Sequence, residues 1–383
     1  MLRERYKPTP FVDTAGLTRE EWLEYRKHGF GASDMPAVME QSEYQSVLAL
    51  FHEKVSRRPK EELDQMVAER IKRESEEGPP TPPMFDDQPL IIDPGAEFNL
   101  PAECGLALEP VIAKHLSIKL GVPVYKDTVM YQHPHYPFLM ATLDYMAICP
   151  DPETGEMNRR VIVECKNVTR WKEDDISFGP LYAHIIQCRA QMCVMNADEV
   201  IIAYLCDNND GGFHVYRIYR DYGKEAELIQ TAKNLWNNHV AKEVLPIPTV
   251  STDAAWRELA DYAFSGRRYE LAQEYSGQKL MELTGRYIEA KRATDDYGNV
   301  FDDSKAELEQ LQLQLAPYLF DQKKVVCGDL ILRWKQRASR SMDYDSFKLA
   351  HPLLYAQFVT EKVSTSFEAK VKKSAIVKES DAA

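Results

Sequence analysis

The stretch Val161-Ile162-Val163-Glu164-Cys165-Lys166 decides the fold. Three consecutive β-branched residues read as a buried strand. The strand then ends in a carboxylate and an ammonium. Successive side chains on a strand alternate faces, so Glu164 and Lys166 project together and Cys165 turns into the core. A charged pair at the end of a buried strand is costly unless it has a task. Working outward, residues 122–131 and 138–148 read as strands that precede it. The second of these carries Asp144, which can converge on Glu164 and Lys166. Residues 181–195 read as a helix, and 199–206 (EVIIAYLC) and 213–219 (FHVYRIY) as further strands. Gly105–Leu120 and 222–240 have helical spacing of apolar residues. The order is α-β-β-β-α-β-β-α. A helix between the third and fourth strands implies a crossover, and hence a parallel pair.

Two carboxylates with nearby carbonyls suit hard, oxygen-loving Mg²⁺ or Mn²⁺. A lysine beside them can stabilise charge on a phosphoryl transition state. Singly, each signal is weak, because a strand-end Asp or a Glu-x-Lys is usually a solvated surface feature. The ordered set is more specific, since Glu109 lies on the preceding helix and Gln187 on the following one. Glu109 precedes Pro110, which argues for a first-turn position. His133-Pro134-His135 reads as a turn rather than a metal pair.

The sequence resembles the YqaJ/lambda-exonuclease family of phage recombination nucleases, within the PD-(D/E)xK superfamily. The resemblance rests on RKHGFGASD (26–34), GLALEP (105–110), FLMATLD (138–144), VECK (163–166) and QCRAQM (187–192), and it spans about residues 20–246. LILRWK (330–335) and His351–Tyr355 look like the tail of longer YqaJ members. It implies an α/β, restriction-endonuclease-like core, a mixed central sheet flanked by helices, with a mainly helical α+β C-terminal extension. It implies that Asp144, Glu164 and the Cys165 carbonyl hold Mg²⁺ (or Mn²⁺), with Glu109 completing the site. Lys166 would contact the scissile phosphate or the attacking water, and Gln187 would brace it. Arg26 and Ser33 would hold a 5′-terminal phosphate. Ser33 can equally cap a helix, and Arg26 can stack on Trp22. Asp144-Tyr145 and Arg189 depart from the Asp-Gly and second Gln of many relatives.

The implied activity is metal-dependent hydrolysis of linear double-stranded DNA ends, 5′→3′, leaving 3′ overhangs for a single-strand annealing protein. Ring-shaped trimers are known in the family. An endonuclease of the same fold, and a catalytically silent DNA-binding or scaffolding relative, stay open as alternatives.

The chain has 383 residues, enough for two or three domains. The expected divisions are an N-terminal helical segment (1–53), a charged and Pro-rich insert (54–101), a nuclease core (102–246) and an accessory region (251–383). The first includes two helical patterns over 18–40, joined at Gly29-Phe30-Gly31. Residues 54–76 read as an exposed helix. Residues 77–101 hold seven prolines, which reads as loop. The accessory region reads as long helices over 255–292 and 303–320, a strand over 325–335 and a helix over 343–358. Lys and Arg number 47 against 60 Asp and Glu, a net charge of −13. That argues against an indiscriminate nucleic-acid coat. Residues 322–378 alone hold 12 Lys/Arg and 5 Asp/Glu, a net of +7, which leaves −20 for the rest. A focused basic surface and a metal site would then hold DNA. No apolar run is long enough for a membrane span and no secretory h-region is visible, so a cytoplasmic location, that of a bacterial host, is expected. Seven irregularly spaced Cys read as reduced, buried thiols.

Overall fold

A computed structural model describes residues 6–77, 100–207, 209–247, 249–250, 253–264, 270–271, 277–297, 302–319, 324–342 and 359–371. The chain divides into two units, Met1–Ser42 with His52–Asn238, and Glu43–Phe51 with His239–Ala383.

Up to Asn238 the chain runs β1 (Thr9–Asp13), α1 (Arg19–Arg26), β2 (Phe30–Gly31), α2 (Met35–Val38), α3 (Val47–Val55), α4 (Lys60–Glu77), α5 (Leu100–Leu120), β3 (Val124–Lys126), β4 (Val129–Gln132), β5 (Leu139–Thr142), β6 (Tyr145–Pro150), β7 (Met157–Val168), α6 (Glu173–Ser177), α7 (Tyr182–Met195), β8 (Glu199–Cys206), β9 (Phe213–Tyr219) and α8 (Tyr222–Leu235); all but the first residues of α3, Val47–Phe51, belong to the first unit. The main sheet has five strands in the order β3-β6-β7-β8-β9. β6 is antiparallel to both its neighbours, β3 and β7, β7 and β8 are parallel, and β9 is antiparallel to β8. The succession α5-β3-β6-β7-α7-β8, with the helix crossing between the parallel pair, follows the α-β-β-β-α-β order expected from the sequence.

β7 sits at the centre of this sheet. Its Val161, Ile162 and Val163 are fully buried. One face packs on α5 through Ile112, Ala113 and Leu116, together with Ala147, Val161, Val163, Ile201 and Ala203. Five of the seven cysteines are buried, and all are free thiols. α7 ends at Asn196, whose φ of 54° is the left-handed conformation that asparagine tolerates at a helix terminus.

Two expected strands are each broken in two. Residues 122–131 divide into β3 and β4, and 138–148 into β5 and β6. β4 and β5 belong to a second sheet, ordered β1-β4-β5-β2. The chain leaves one sheet and joins the other at Leu143-Asp144 and again at Asp127-Thr128. Asp127 Oδ1 accepts from the Val129 amide at 2.9 Å and secures the second crossing. Asp144 is thus displayed in the gap between two sheets. A second difference concerns Pro110, which lies well inside α5 rather than in a first turn. Proline removes one helical hydrogen bond. The half of α5 before it is mostly exposed, where water can satisfy the released carbonyl.

In the second unit the residues expected as one helix over 255–292 form two, α9 (Asp253–Phe264) and α10 (Gly277–Tyr297), and α11 spans Asp302–Leu315. Two short strands, β10 (Val244–Leu245) and β11 (Glu270–Leu271), pair in parallel. The expected strand over 325–335 is a hairpin, β12 (Lys324–Cys327) and β13 (Leu330–Met342). β13 also pairs along its whole length with β14 (Val359–Val371). Leu283, Tyr287, Leu311, Leu315, Leu330 and Leu332 form the core of this unit. Residues 78–99 of the Pro-rich stretch, and the helix expected over 343–358, lie outside the described residues.

Candidate active site

Glu164 and Lys166 lie two residues apart on β7, opposite Ile202 and Tyr204 of β8. Alternation turns both to the same side. Glu164 is buried at 2% exposure. Lys166 Nζ approaches Glu164 Oε1 to 2.7 Å. Burial alone would make the ammonium easier to deprotonate. The charges of Glu164 and Asp144 outweigh it and hold the Lys166 pKa above its ordinary value.

α7 completes the hydrogen bonding. Gln187 Oε1 accepts from Lys166 Nζ at 2.9 Å. Its Nε2 donates to Glu164 Oε1 at 2.6 Å. One amide therefore ties the lysine to the carboxylate. Gln191, one helical turn on, donates from Nε2 to Glu164 Oε2 at 2.5 Å. Residues four apart share a helix face, so both amides reach the same carboxylate. The spacing Gln187-x-x-x-Gln191 is the sequence signal for this second amide, and reading the residues by type alone passes over it. Arg189, two residues from each glutamine, points elsewhere, and its charge acts on Asp221 and Lys224.

Asp144, in the gap before β6, accepts from the Cys165 amide through Oδ2 at 2.9 Å. Burial, and then the nearby charges of Glu164 and Glu109, push its pKa up to about 8 against the opposing pull of Lys166. Carboxylates crowd this end of the sheet beyond what the cations neutralise. Burial and the same carboxylates push the Cys165 thiol up as well, so it is an inert core thiol. Glu109, from α5, is paired with Lys126 of β3 at 3.0 Å. Lys126 Nζ also lies 4.8 Å from the Tyr145 ring centroid, a cation–π contact. Among the described residues no three His, Cys, Asp or Glu side chains form a ready metal cluster. The oxygen donors present are Asp144, Glu164 and the Cys165 carbonyl, while Glu109 is engaged by Lys126.

A second constellation surrounds Arg26 at the end of α1. Its guanidinium donates to Ser33 Oγ at 2.9 Å and pairs with Asp34. It also lies over the Trp22 ring, 4.9 Å from the centroid. The stacked reading and the Ser33 pairing therefore coexist. Ser33 makes no side-chain helix cap; it sits within a short 3-10 turn before α2, and the helix itself shows no capping bond from its side chain. Asp34 is 3% exposed and accepts from Lys54 Nζ and from the Gly31 amide, both at 2.9 Å. Burial alone would raise its pKa, but Arg26 and Lys54 prevail and hold it below the ordinary carboxylate range. Lys54 is wholly buried and also donates to the Arg26 carbonyl at 3.1 Å. Small residues permit this packing. A Cβ on Gly29 would stand 2.8 Å from the Phe138 carbonyl, and one on Gly31 would stand 3.2 Å from Arg26 Nη2.

These groups line one cavity of about 790 Å³. Its walls contain all the residues singled out from the sequence: Arg26, Ser33, Glu109, Asp144, Glu164, Cys165, Lys166 and Gln187. Lys126 joins them there. Gln191, Asp34 and Lys54 support them from behind. The His133-Pro134-His135 segment is a turn, with His133 Nδ1 accepting from the His135 amide at 3.1 Å.

Residues 21–198 match the YqaJ-like viral recombinase domain. The uncharacterized protein YqaJ of Bacillus subtilis (strain 168) is 22% identical over 351 residues, which covers 90% of this chain and 92% of that protein. Among solved structures, an alkaline exonuclease from Laribacter hongkongensis aligns with 57% of this chain and 91% of its own, at 17% identity and a TM-score of 0.38. A phage-related exonuclease from Haemophilus somnus 129PT aligns with 56% of this chain and 96% of its own, at 15% identity and a TM-score of 0.31.

Proposed function

We propose, from the match of residues 21–198 to the YqaJ-like viral recombinase domain and from the site geometry, that the protein is a divalent-metal-dependent exonuclease of linear double-stranded DNA. It digests 5′→3′ and leaves 3′ single strands for a phage-type annealing partner. The observation that carries this reading is the convergence of Asp144, Glu164, Lys166 and Gln187 on the cavity that also holds Arg26 and Ser33. The nuclease core is residues 102–246. A helical segment over residues 1–53 and the insert over 54–101 precede it, and the accessory region over 251–383 follows. Trimer formation, as in ring-shaped relatives, belongs to the same reading.

The donor set fits a hard divalent ion. It is all oxygen, and crowding of its carboxylates already raises Asp144. Asp144, Glu164 and the Cys165 carbonyl would hold Mg²⁺ or Mn²⁺, with Glu109 added once it parts from Lys126. The ion, when bound, supplies Lewis-acid charge stabilisation to the phosphodiester. Lys166 presents its ammonium to the phosphoryl oxygen on which negative charge grows as water attacks in line. Gln187 fixes that ammonium by its bond to Nζ. Arg26 and Ser33 grip a 5′-terminal phosphate, with Asp34 and Lys54 holding the guanidinium in place. Binding the terminal phosphate sets which bond reaches Lys166, a positioning effect.

The test uses end-labelled linear duplex with Mg²⁺, with circular duplex and EDTA as controls. Linear DNA should disappear from its 5′ ends while circles persist, and EDTA should stop digestion. Degradation of circles would turn the reading to an endonuclease. No digestion with either metal would turn it to a DNA-binding relative. Arg26→Ala should lose the preference for 5′-phosphorylated ends, and its retention would remove the end-binding role.

A further inference from the structure

We propose that Gln191 is a positioning residue for Glu164, fixing the carboxylate in the orientation that takes a divalent ion. This rests on the metal-dependent reading above and extends it to a residue outside the cavity wall.

Gln191 is entirely buried, so it cannot touch DNA. Its amide spends its donor on Glu164 Oε2 at 2.5 Å. Glu164 is an acceptor only, so the amide must turn its nitrogen toward it. That choice leaves Gln191 Oε1 buried with no hydrogen-bond partner among the described residues. An unpartnered buried carbonyl oxygen opposes folding. An apolar residue of similar shape would avoid it. The position therefore retains a group that fold stability alone does not favour, and among the described residues the amide's one hydrogen-bond partner is Glu164.

The two amides divide the work. Gln187 bonds Oε1 and also holds Lys166. Gln191 bonds Oε2 and, among the described residues, nothing else. With both oxygens tethered from α7, the carboxylate plane cannot rotate about its terminal torsion, which is otherwise broad. Remaining lone pairs then face a fixed direction. Partners behind metal-binding groups of this kind commonly govern affinity by roughly 10- to 100-fold.

The experiment compares wild type, Gln191→Met and Gln191→Asn in the full chain. Met keeps the volume and removes both amide atoms. Asn keeps the amide but withdraws it by one methylene. Mn²⁺ binding is measured by calorimetry, folding by thermal melts, and digestion by steady-state kinetics. The expected result is a folded Gln191→Met protein, no less stable than wild type, that binds Mn²⁺ roughly 10- to 100-fold more weakly. Its kcat should fall at fixed metal while KM for DNA stays within about twofold, because Gln191 touches no substrate. Gln191→Asn should show the same loss of Mn²⁺ affinity. A folded variant with wild-type Mn²⁺ affinity overturns the inference, and so does failure of both variants to fold, which would assign Gln191 to the core alone. If wild type itself binds no Mn²⁺, the metal reading of the site falls first, and the inference falls with it.

Discussion

Lys54→Met tests whether the Arg26 constellation is assembled from below. Lys54 is fully buried. Its ammonium donates to Asp34 Oδ2 at 2.9 Å, to the Arg26 carbonyl at 3.1 Å and to Glu53 Oε1 at 2.7 Å. Met fills similar space without a donor. It strands Asp34, itself 3% exposed, with one cation instead of two. Breaking a buried ion pair by removing one partner costs about 3–5 kcal/mol. At about 2–4 °C per kcal/mol for a unit of this size, the melting temperature should fall by roughly 10 °C. Asp34→Asn should restore part of this when added to Lys54→Met, because it removes the stranded charge, and the double-mutant cycle should show coupling of about 1–3 kcal/mol. The pH dependence has a defined sign. The folded pKa of Asp34 lies below its unfolded 3.8, so its contribution is complete above that value and is lost as pH falls through the folded pKa. Wild type should lose this contribution in acid, and Asp34→Asn should not. Thermal melts by circular dichroism and preference for 5′-phosphorylated ends are the readouts. A Lys54→Met protein that melts within about 2 °C of wild type and keeps its end preference would refute the reasoning.

Three further outcomes follow from the site. Asp144→Asn should abolish digestion yet raise the stability of the metal-free protein at pH 8, by up to about 5 kcal/mol. The wild-type carboxyl, with a folded pKa of about 8 against 3.8 unfolded, loses stability as pH rises between the two; equal melts at pH 8 in EDTA would contradict this. Lys126→Met frees Glu109 and should tighten Mn²⁺ binding by about 2- to 5-fold, the range of a half-exposed ion pair, while weakening DNA binding; unchanged calorimetric affinity would separate Glu109 from the metal. His133, 2% exposed with its pKa lowered by burial to about 4 from 6.5, keeps its contribution above pH 6.5 and loses it on acidification toward pH 4, up to about 3 kcal/mol. Melts across that window should fall in wild type and flatten in His133→Gln.

What the sequence determined by itself was local and periodic. Val161–Val163 is a strand because β-branched residues favour extended backbone, and Glu164 and Lys166 share a side because strand alternation has a period of two. Gln187 and Gln191 share a face because a helix repeats every 3.6 residues. The parallel β7–β8 pair followed from the crossover helix. The tertiary structure decided what depends on residues far apart in the chain. Asp144 is displayed by a switch between two sheets, and nothing local in Leu139–Pro150 marks the break. The Lys54–Asp34 and Lys126–Glu109 pairs join residues 20 and 17 positions apart. Pro110 sits inside a helix because the turn before it is solvated, which only folding reveals. The 13-residue pairing of β13 with β14 joins two segments separated in the chain, and their mutual register depends on that long-range pairing rather than on either segment's own alternation. Local propensity is set by a residue and its neighbours, whereas a carboxylate's charge and direction are set by whatever packing brings beside it.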